Sequence, residues 1–131
     1  MARILLLEDD ATFRDLVAAA LKRSNHDVTC CADGQTGWDM MDKARPELIL
    51  LDLAMPRLDG LSFLRRLRAE EKWGAVPVLV VSANSSAAAI AVERGAQGYL
   101  LKSRFSMPEL IETVQGLTAA AEKRRGSSSA A

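Results

Sequence analysis

Carboxylate, hydroxyl and amine side chains follow four of the five short apolar segments of this sequence. Glu8 and Asp9 come directly after the first segment, Asp52 follows the third, and Ser82 and Lys102 follow the fourth and the fifth. Two carboxylates about 4 Å apart repel by roughly 4 kcal/mol at an effective dielectric constant near 20, so a cluster of them requires a cation or a lysine. Carboxylate oxygens suit Mg²⁺. An aspartate beside Mg²⁺ and a lysine can act as the nucleophile in phosphoryl transfer.

The apolar segments themselves have the length and composition of β-strands. Most are unbroken apolar runs rather than alternating patterns, which is typical of strands in a parallel sheet that is covered on both faces. We predict strands over residues 4–7, 28–31, 48–51, 78–81 and 99–101.

The segments between these strands have helical periodicity. In the first of them, apolar residues spaced by three and four positions predict one buried stripe, formed by Phe13, Leu16, Val17, Ala20 and Leu21. Asp10 precedes this helix and is more typical of its N-cap than of a metal ligand. The alternation of strands and helices predicts a doubly wound α/β fold with right-handed crossovers. The carboxyl ends of its strands meet at one edge, where we expect the acidic, hydroxyl and amine side chains to converge.

The composition is that of one globular domain. The chain has 131 residues, of which 49% are hydrophobic, and its 17 basic residues balance 17 acidic ones. This balance argues against direct binding of nucleic acid, and no apolar run is long enough to cross a membrane. The adjacent Cys30 and Cys31 are expected to be small buried or half-buried thiols in a reducing compartment, which predicts a cytoplasmic protein. His26 precedes the second strand in a polar turn and is expected on the surface.

Four motifs, in this order, resemble those of the receiver domains of two-component response regulators. They are ILLLEDD at residues 4–10, LLDLAMPRLDG at residues 50–60, VVSA at residues 80–83 and GYLLK at residues 98–102. The resemblance runs from about residue 2 to about residue 121. It implies a flavodoxin-like receiver domain over residues 1–122, a doubly wound five-stranded parallel sheet in the order 2-1-3-4-5 with helices on both faces. Residues 123–131 are expected to form a flexible tail or a truncated linker.

The resemblance also implies a role for each acidic candidate. Asp52 would accept a phosphoryl group from the phosphohistidine of a sensor histidine kinase, and Lys102 would pair with that group or with Asp52. Mg²⁺ or Mn²⁺ would be bound directly by Asp9 and Asp52, through water by Glu8, and by the backbone carbonyl of Ala54.

Two further residues would carry the switch that the resemblance implies. Ser82 would close onto the phosphoryl group and Tyr99 would turn inward with it, changing the surface formed by the fourth helix, the fifth strand and the fifth helix. This surface would bind a downstream output domain or protein, and a homodimer through the same helices is left open. The expected function is a signalling switch that catalyses only its own aspartyl phosphorylation and dephosphorylation.

Three residues bear on how such a switch would perform. Ser103 follows Lys102 where the family commonly has a proline in a cis peptide. A non-proline cis bond costs roughly 3–4 kcal/mol, so the bond after Lys102 could instead be trans, which would change the direction of the Lys102 side chain. Ala54 and Asn84 occupy positions at which the family tunes hydrolysis, so the lifetime of the phosphorylated form is left open.

Other functions of this pattern are a receiver-like scaffold without phosphorylation, an aspartyl phosphatase and a flavodoxin-like electron carrier. The missing proline after Lys102 keeps the scaffold in consideration. A phosphatase would want a second acid at position 54, which is alanine. An electron carrier would want a phosphate-binding loop after the first strand, where the acidic residues at 8–10 would repel an anion.

Overall fold

Five parallel strands and five helices alternate along the chain in a computed structural model, which describes the backbone of residues 2–130 and the side chains of residues 2–124. The elements are β1 (Arg3–Leu7), α1 (Ala11–Arg23), β2 (Asp27–Cys31), α2 (Gly34–Ala44), β3 (Leu48–Leu51), α3 (Gly60–Ala69), β4 (Val78–Ser82), α4 (Ser85–Glu93), β5 (Gly98–Leu101) and α5 (Met107–Ala130). The strands form one sheet in the order β2-β1-β3-β4-β5, and every neighbouring pair is parallel. The predicted doubly wound, flavodoxin-like fold is confirmed.

Alternating residues of the central strands face two separate hydrophobic layers. Leu5 and Ile49 lie in one layer, together with buried residues of α2, α3 and α4. Leu6 and Leu50 lie in the other, together with buried residues of α1 and α5. Because helices cover both faces of the sheet, every position in these strands can be apolar, which explains the unbroken runs in the sequence.

Short polar side chains precede four of the helices and cap their first turns. Asp10, Asp33, Asp59 and Asn84 each accept a hydrogen bond from the backbone N–H three residues further on. Such N-caps satisfy N–H groups that the first turn of a helix leaves without partners. They fix where α1, α2, α3 and α4 begin, and they confirm the prediction for Asp10.

Arg68, near the end of α3, joins the loops that precede β4 and β5. Its Nη1 donates to the carbonyl oxygens of Gly74 and Val76 at 2.9 and 2.7 Å. Its Nε and Nη2 both donate to the carbonyl oxygen of Gly95, at 3.0 and 2.7 Å. A guanidinium presents its N–H donors in a rigid plane, so this one side chain satisfies carbonyls from two loops at once.

The prediction that His26 lies on the surface is wrong. His26 is only 8% exposed, and its Nδ1 accepts a hydrogen bond from the backbone N–H of Ala2 at 3.1 Å. The turn before β2 folds against the start of β1 because these two strands are paired. Burial lowers the pKa of His26.

Two positions that were expected to be covered are exposed. Leu16 is 56% exposed, because α1 buries Val17, Ala18, Ala20 and Leu21, so the covered stripe is rotated away from Leu16. Cys30 is exposed, whereas Cys31 is buried as expected. Cys30 belongs to β2, an edge strand that its neighbours cover less fully than the central strands.

Helix α5 continues past the predicted domain boundary at residue 122 and ends at Ala130. The side chains of residues 125–131 lie outside the described part of the chain, and the division into a domain and a tail stays a prediction. Within the described residues, none of the helices combines the length and the hydropathy needed to cross a membrane.

Candidate functional site

The pairing of β1 with β3 brings three carboxylates together at the carboxyl edge of the sheet. Leu7 is paired with Leu51, so Glu8 and Asp52 follow side by side, and the backbone N–H of Asp52 donates to the carbonyl of Leu7 at 3.0 Å. Carboxylate oxygens of Glu8, Asp9 and Asp52 all lie within 4.8 Å of one another. The convergence of acids from the first and third loops therefore occurs.

The three carboxylates differ in their contact with solvent. Glu8 is 1% exposed and Asp52 is 4% exposed, whereas Asp9 is exposed. Glu8 is held in place, since its Oε2 accepts from the backbone N–H of Asp10 at 3.1 Å and its carbonyl accepts from Arg14 Nη1 at 2.8 Å. The exposed Asp9 opens the cluster toward water on one side.

Lys102 supplies the positive charge of the cluster from the end of β5. Its Nζ lies 2.8 Å from Glu8 Oε1 and 3.6 Å from Asp52 Oδ2. The same Nζ lies 5.0 Å from the ring centroid of Phe13, a distance at which a cation is attracted by the ring face. The predicted proximity of Lys102 to Asp52 is present, but the shorter ion pair with Glu8 was not foreseen.

Ser103 does not prevent this arrangement. No peptide bond among the described residues is cis, so the bond after Lys102 is trans. Lys102 nonetheless reaches both Glu8 and Asp52.

The electrostatics of the site favour the protonated form of Asp52. Burial and, next, the negative charge of Glu8 raise the pKa of Asp52 to about 7, against the opposing influence of Lys102 and of a hydrogen bond from the Ala54 backbone N–H at 3.2 Å. Burial disfavours the charged form of Lys102, but its contacts with Glu8 and Asp52 outweigh burial and raise its pKa. The site thus holds an ammonium between two carboxylates that compete for it.

The remaining predicted residues, Ser82, Ala54 and Tyr99, differ in how far they are buried. Ser82 is buried at the end of β4, where Oγ accepts from the backbone N–H of Asn84 at 3.0 Å and donates to its carbonyl at 3.2 Å. Ala54 is exposed next to the cluster, and its carbonyl as a metal ligand stays a prediction. Tyr99 is 44% exposed on β5, and its role as a switch also stays a prediction.

A second polar contact beside the site was missed from the sequence. Arg57, in the loop after β3, places Nη1 3.3 Å from Asp33 Oδ2, just after β2. Arg57 adopts a left-handed backbone with φ of 68°. The rule that found Glu8, Asp52 and Lys102, which reads the residues after each strand, would also have found Asp33.

The donor set suits a hard divalent cation. Two buried carboxylates and one exposed carboxylate offer oxygen ligands, and an open cavity of about 530 Å³ bordered by Asp9, Asp52, Ala54, Ser82 and Lys102 leaves space for water. Mg²⁺ prefers oxygen ligands of this type and keeps several waters. Glu8, Asp9 and Asp52 together could therefore hold a metal ion.

The fold and this acidic cluster have counterparts among known proteins. Residues 4–115 match the family described as the response regulator receiver domain. The chain belongs to this family. Receiver domains in general are switches rather than enzymes, and they bind Mg²⁺ in an acidic site of the kind formed here.

Two solved receiver structures are similar to this one over nearly their whole length. The receiver domain of the Francisella response regulator 1452 has a TM-score of 0.83 and 27% identity, over 92% of this chain and 98% of that one. The chemotaxis response regulator CheY4 of Vibrio cholerae has a TM-score of 0.81 and 27% identity, over 89% of this chain and 98% of that one.

Curated relatives combine a similar receiver with different further segments. RpaA of Synechocystis sp., named a DNA-binding dual master transcriptional regulator, is 34% identical over 119 residues, which are 89% of this chain and 49% of the relative. A protein-glutamate methylesterase/protein-glutamine glutaminase of Anaeromyxobacter dehalogenans is 37% identical over 114 residues, which are 84% of this chain and 32% of the relative. This chain thus spans half or less of the length of these relatives.

Proposed function

We propose that this receiver domain is a phosphorylation-controlled switch in which Asp52 accepts a phosphoryl group from the phosphohistidine of a sensor histidine kinase. The observation that carries the proposal is the cluster of Glu8, Asp9 and Asp52 with Lys102 at one edge of the sheet. Asp52 is the member placed to react, because it both borders the open cavity and lies 3.6 Å from Lys102 Nζ, whereas Glu8 does not border the cavity.

The step is a displacement at phosphorus. An oxygen of the ionised Asp52 carboxylate bonds to phosphorus, the bond from phosphorus to the histidine nitrogen breaks, and the electron pair returns to the imidazole ring. Asp9, Asp52 and the carbonyl of Ala54 would hold Mg²⁺ or Mn²⁺, with Glu8 contributing through water, and the ion would supply positive charge to offset the carboxylates and the phosphoryl oxygens. Lys102 then exchanges part of its contact with Glu8 for a phosphoryl oxygen.

The output of the switch is a changed surface around α4, β5 and α5. Ser82 leaves its contacts with the Asn84 backbone and donates to the phosphoryl group, and Tyr99 leaves its exposed position and turns inward. The partner is an output domain or protein, in keeping with the further segments of the relatives, and a homodimer is a second form that this surface could support. The 17 basic and 17 acidic residues of the sequence balance, which argues against nucleic acid as a direct partner of this receiver.

The experiment is incubation of the purified chain with acetyl phosphate and Mg²⁺, followed by intact mass measurement. The native protein should gain one phosphoryl group, and Asp52→Asn should gain none. Asp15→Asn removes an exposed aspartate of α1 and serves as the matched control, which should react as the native protein does. Phosphorylation of Asp52→Asn, or no phosphorylation of the native protein, would contradict the proposal.

A scaffold that does not become phosphorylated is the second candidate, and one observation favours it. Lys102 forms its shorter contact with Glu8, 2.8 Å, and the residue after it is Ser103 instead of proline. Mg²⁺ separates the two candidates, because at ten times its dissociation constant it should stabilise a working site by about 1.4 kcal/mol. An unchanged melting temperature at high Mg²⁺ would favour the scaffold.

A further inference from the structure

The amino edge of the sheet, opposite the carboxylate cluster, contains a second concave surface. It is a cleft of about 430 Å³ bordered by the starts of β1, β3 and β4 and by α5. Its charged lining consists of Arg3, Arg45, Lys72 and Arg124 together with Glu47, and we call it the basic cleft. Its volume lies within the range of about 300–1,000 Å³ that is usual for small-molecule sites.

The lining is strongly positive although the chain as a whole is neutral. Among the described residues that border the cleft, Glu47 is the one acid, and Arg3 already binds it. Glu47 Oε1 accepts from the backbone N–H of Arg3 at 3.0 Å and lies 3.4 Å from its Nη1. Lys72 pairs at 3.2 Å with Asp42, whose side chain is 80% exposed. Neither pair includes Arg45 or Arg124, and no second acid borders the cleft among the residues that the structure describes.

Arg45 is held in a conformation that an arginine rarely adopts. It is the C-cap of α2, with φ of 48° and ψ of 58°, a left-handed position that usually belongs to glycine. It also precedes Pro46, whose ring favours an extended backbone at the residue before it. The Arg45 side chain makes no hydrogen bond or ion pair with the described residues. A strained residue with a free charge directed to a cleft is the pattern expected of a binding group.

The helix dipole alone does not account for Arg45. A cation near the C-terminus of a helix is favourable, but Lys43 already provides one in the last turn of α2. Glycine at position 45 would remove the strain and keep Lys43. Interaction with a ligand is a reason for an arginine at this position that the helix itself does not supply.

Apolar ring surface completes the basic cleft. Trp73 is half-buried, and its Nε1 donates to Asp42 at 3.3 Å, so the rest of the indole has no polar atom to satisfy. Pro46 and Pro77 also border the cleft but are buried, so Trp73 is the main apolar surface among its described lining. Lys72 Nζ lies 5.0 Å from the ring centroid of Trp73, which places a cation beside this apolar wall.

We propose that the basic cleft binds a nucleoside phosphate, a small ligand that joins phosphate to a flat ring. The free guanidinium groups of Arg45 and Arg124 match phosphate oxygens in geometry and charge. The half-buried Trp73 provides contact for the ring. A long nucleic acid is disfavoured, because its affinity depends on a row of phosphate contacts that a cleft of this size does not offer. The inference does not depend on phosphorylation of Asp52.

The test is an NMR titration of the full chain with ADP in EDTA, which removes divalent ions from the carboxylate cluster. The indole N–H signal of Trp73 should shift, while that of Trp38, which does not border the cleft, should stay. Adenosine and inorganic pyrophosphate should each bind at least tenfold more weakly than ADP. No shift of Trp73 at millimolar ADP, equal affinity for pyrophosphate, or tighter binding of single-stranded DNA than of ADP would overturn the proposal.

Variants separate binding from folding. Arg45→Gly keeps the left-handed backbone, so it should raise the melting temperature and weaken ADP binding about tenfold, the loss expected for one charge-assisted hydrogen bond. Arg124→Gln should weaken ADP binding by a similar factor. Arg65→Gln, an exposed arginine of α3 outside the cleft, and Asp52→Asn should both bind ADP as the native protein does. Unchanged ADP affinity of Arg45→Gly would overturn the assignment.

Discussion

The carboxyl edge and the amino edge of the sheet hold their charges in different surroundings. At the carboxyl edge, the side chains of Glu8 and Asp52 are 2% and 4% exposed, and they share Lys102. At the amino edge, the side chains of Arg3 and Lys72 are 51% and 64% exposed. Solvent and salt weaken exposed pairs, whereas buried charges interact strongly and shift each other's protonation. The same sheet thus supports a buried cluster of interacting charges at one edge and solvent-exposed cations at the other.

The largest expected effect is a pH dependence of stability that Asp52 produces at the carboxyl edge. Its pKa is raised from 3.8 to about 7. Between these values the folded state keeps a proton that the unfolded state has released, so the free energy of unfolding falls as the pH rises from about 4 to about 7. The fall is on the order of 4 kcal/mol in metal-free protein, measured by urea unfolding in EDTA. Asp52→Asn should lack this slope, and the same slope in both proteins would contradict the assignment.

The next effect compares one lysine from each edge. Lys102→Met leaves Glu8 and Asp52 without their shared cation, so we expect the free energy of unfolding at neutral pH to fall by about 2 kcal/mol. Lys72→Met breaks an exposed pair with Asp42 and should cost less than about 0.5 kcal/mol. Equal costs in urea unfolding would show that burial does not distinguish the two edges.

His26 gives the amino edge a pH dependence of opposite sign. Burial lowers its pKa, so the unfolded state binds a proton more readily, and stability is lost as the pH falls below about 6.5. Protonation turns Nδ1 into a donor and removes the hydrogen bond from Ala2, worth about 1 kcal/mol. Thermal unfolding between pH 5 and 7 measures this loss of stability, since the pKa of histidine in the unfolded chain is about 6.5. His26→Asn keeps an acceptor that does not titrate, and its stability should change less over this range.

The smallest effect compares two arginines with left-handed backbones, one at each edge. Arg45→Gly relieves strain without losing a partner, so it should raise the free energy of unfolding by about 0.5–1 kcal/mol. Arg57→Gly also relieves strain but loses the 3.3 Å contact with Asp33, so its net effect should be near zero. A larger gain from Arg57→Gly than from Arg45→Gly would reverse the expected order in chemical unfolding.

The position of the site could be predicted from the sequence because parallel strands have a single carboxyl edge. Glu8, Asp52 and Lys102 each follow an apolar run, and the sheet order then brings their ends together. The N-cap at Asp10 was equally local, since it depends on one residue type before one helix. Features set by chain connectivity and short-range chemistry were therefore accessible.

Features that depend on how fully one element covers another could not be predicted from the sequence. Periodicity placed Leu16 on the apolar side of α1, but the contact with the sheet and α5 is narrower than that side. The turn composition around His26 indicated solvent, although the pairing of β1 with β2 buries it. Lys102 Nζ lies 2.8 Å from Glu8 and 3.6 Å from Asp52, so its preferred partner is decided by a difference of less than 1 Å. No sequence pattern encodes such a difference.

Arg68 links the loop before β4 to the loop before β5, so local unfolding of one loop should favour local unfolding of the other. Its guanidinium holds the carbonyl of Gly95 and the carbonyls of Gly74 and Val76, so a fluctuation that releases either loop weakens the other. Local opening in proteins often occurs in cooperative units of this kind. We therefore expect the segments that lead into β4 and β5 to form one such unit, in which hydrogen exchange of the backbone amides is slowed to a similar extent.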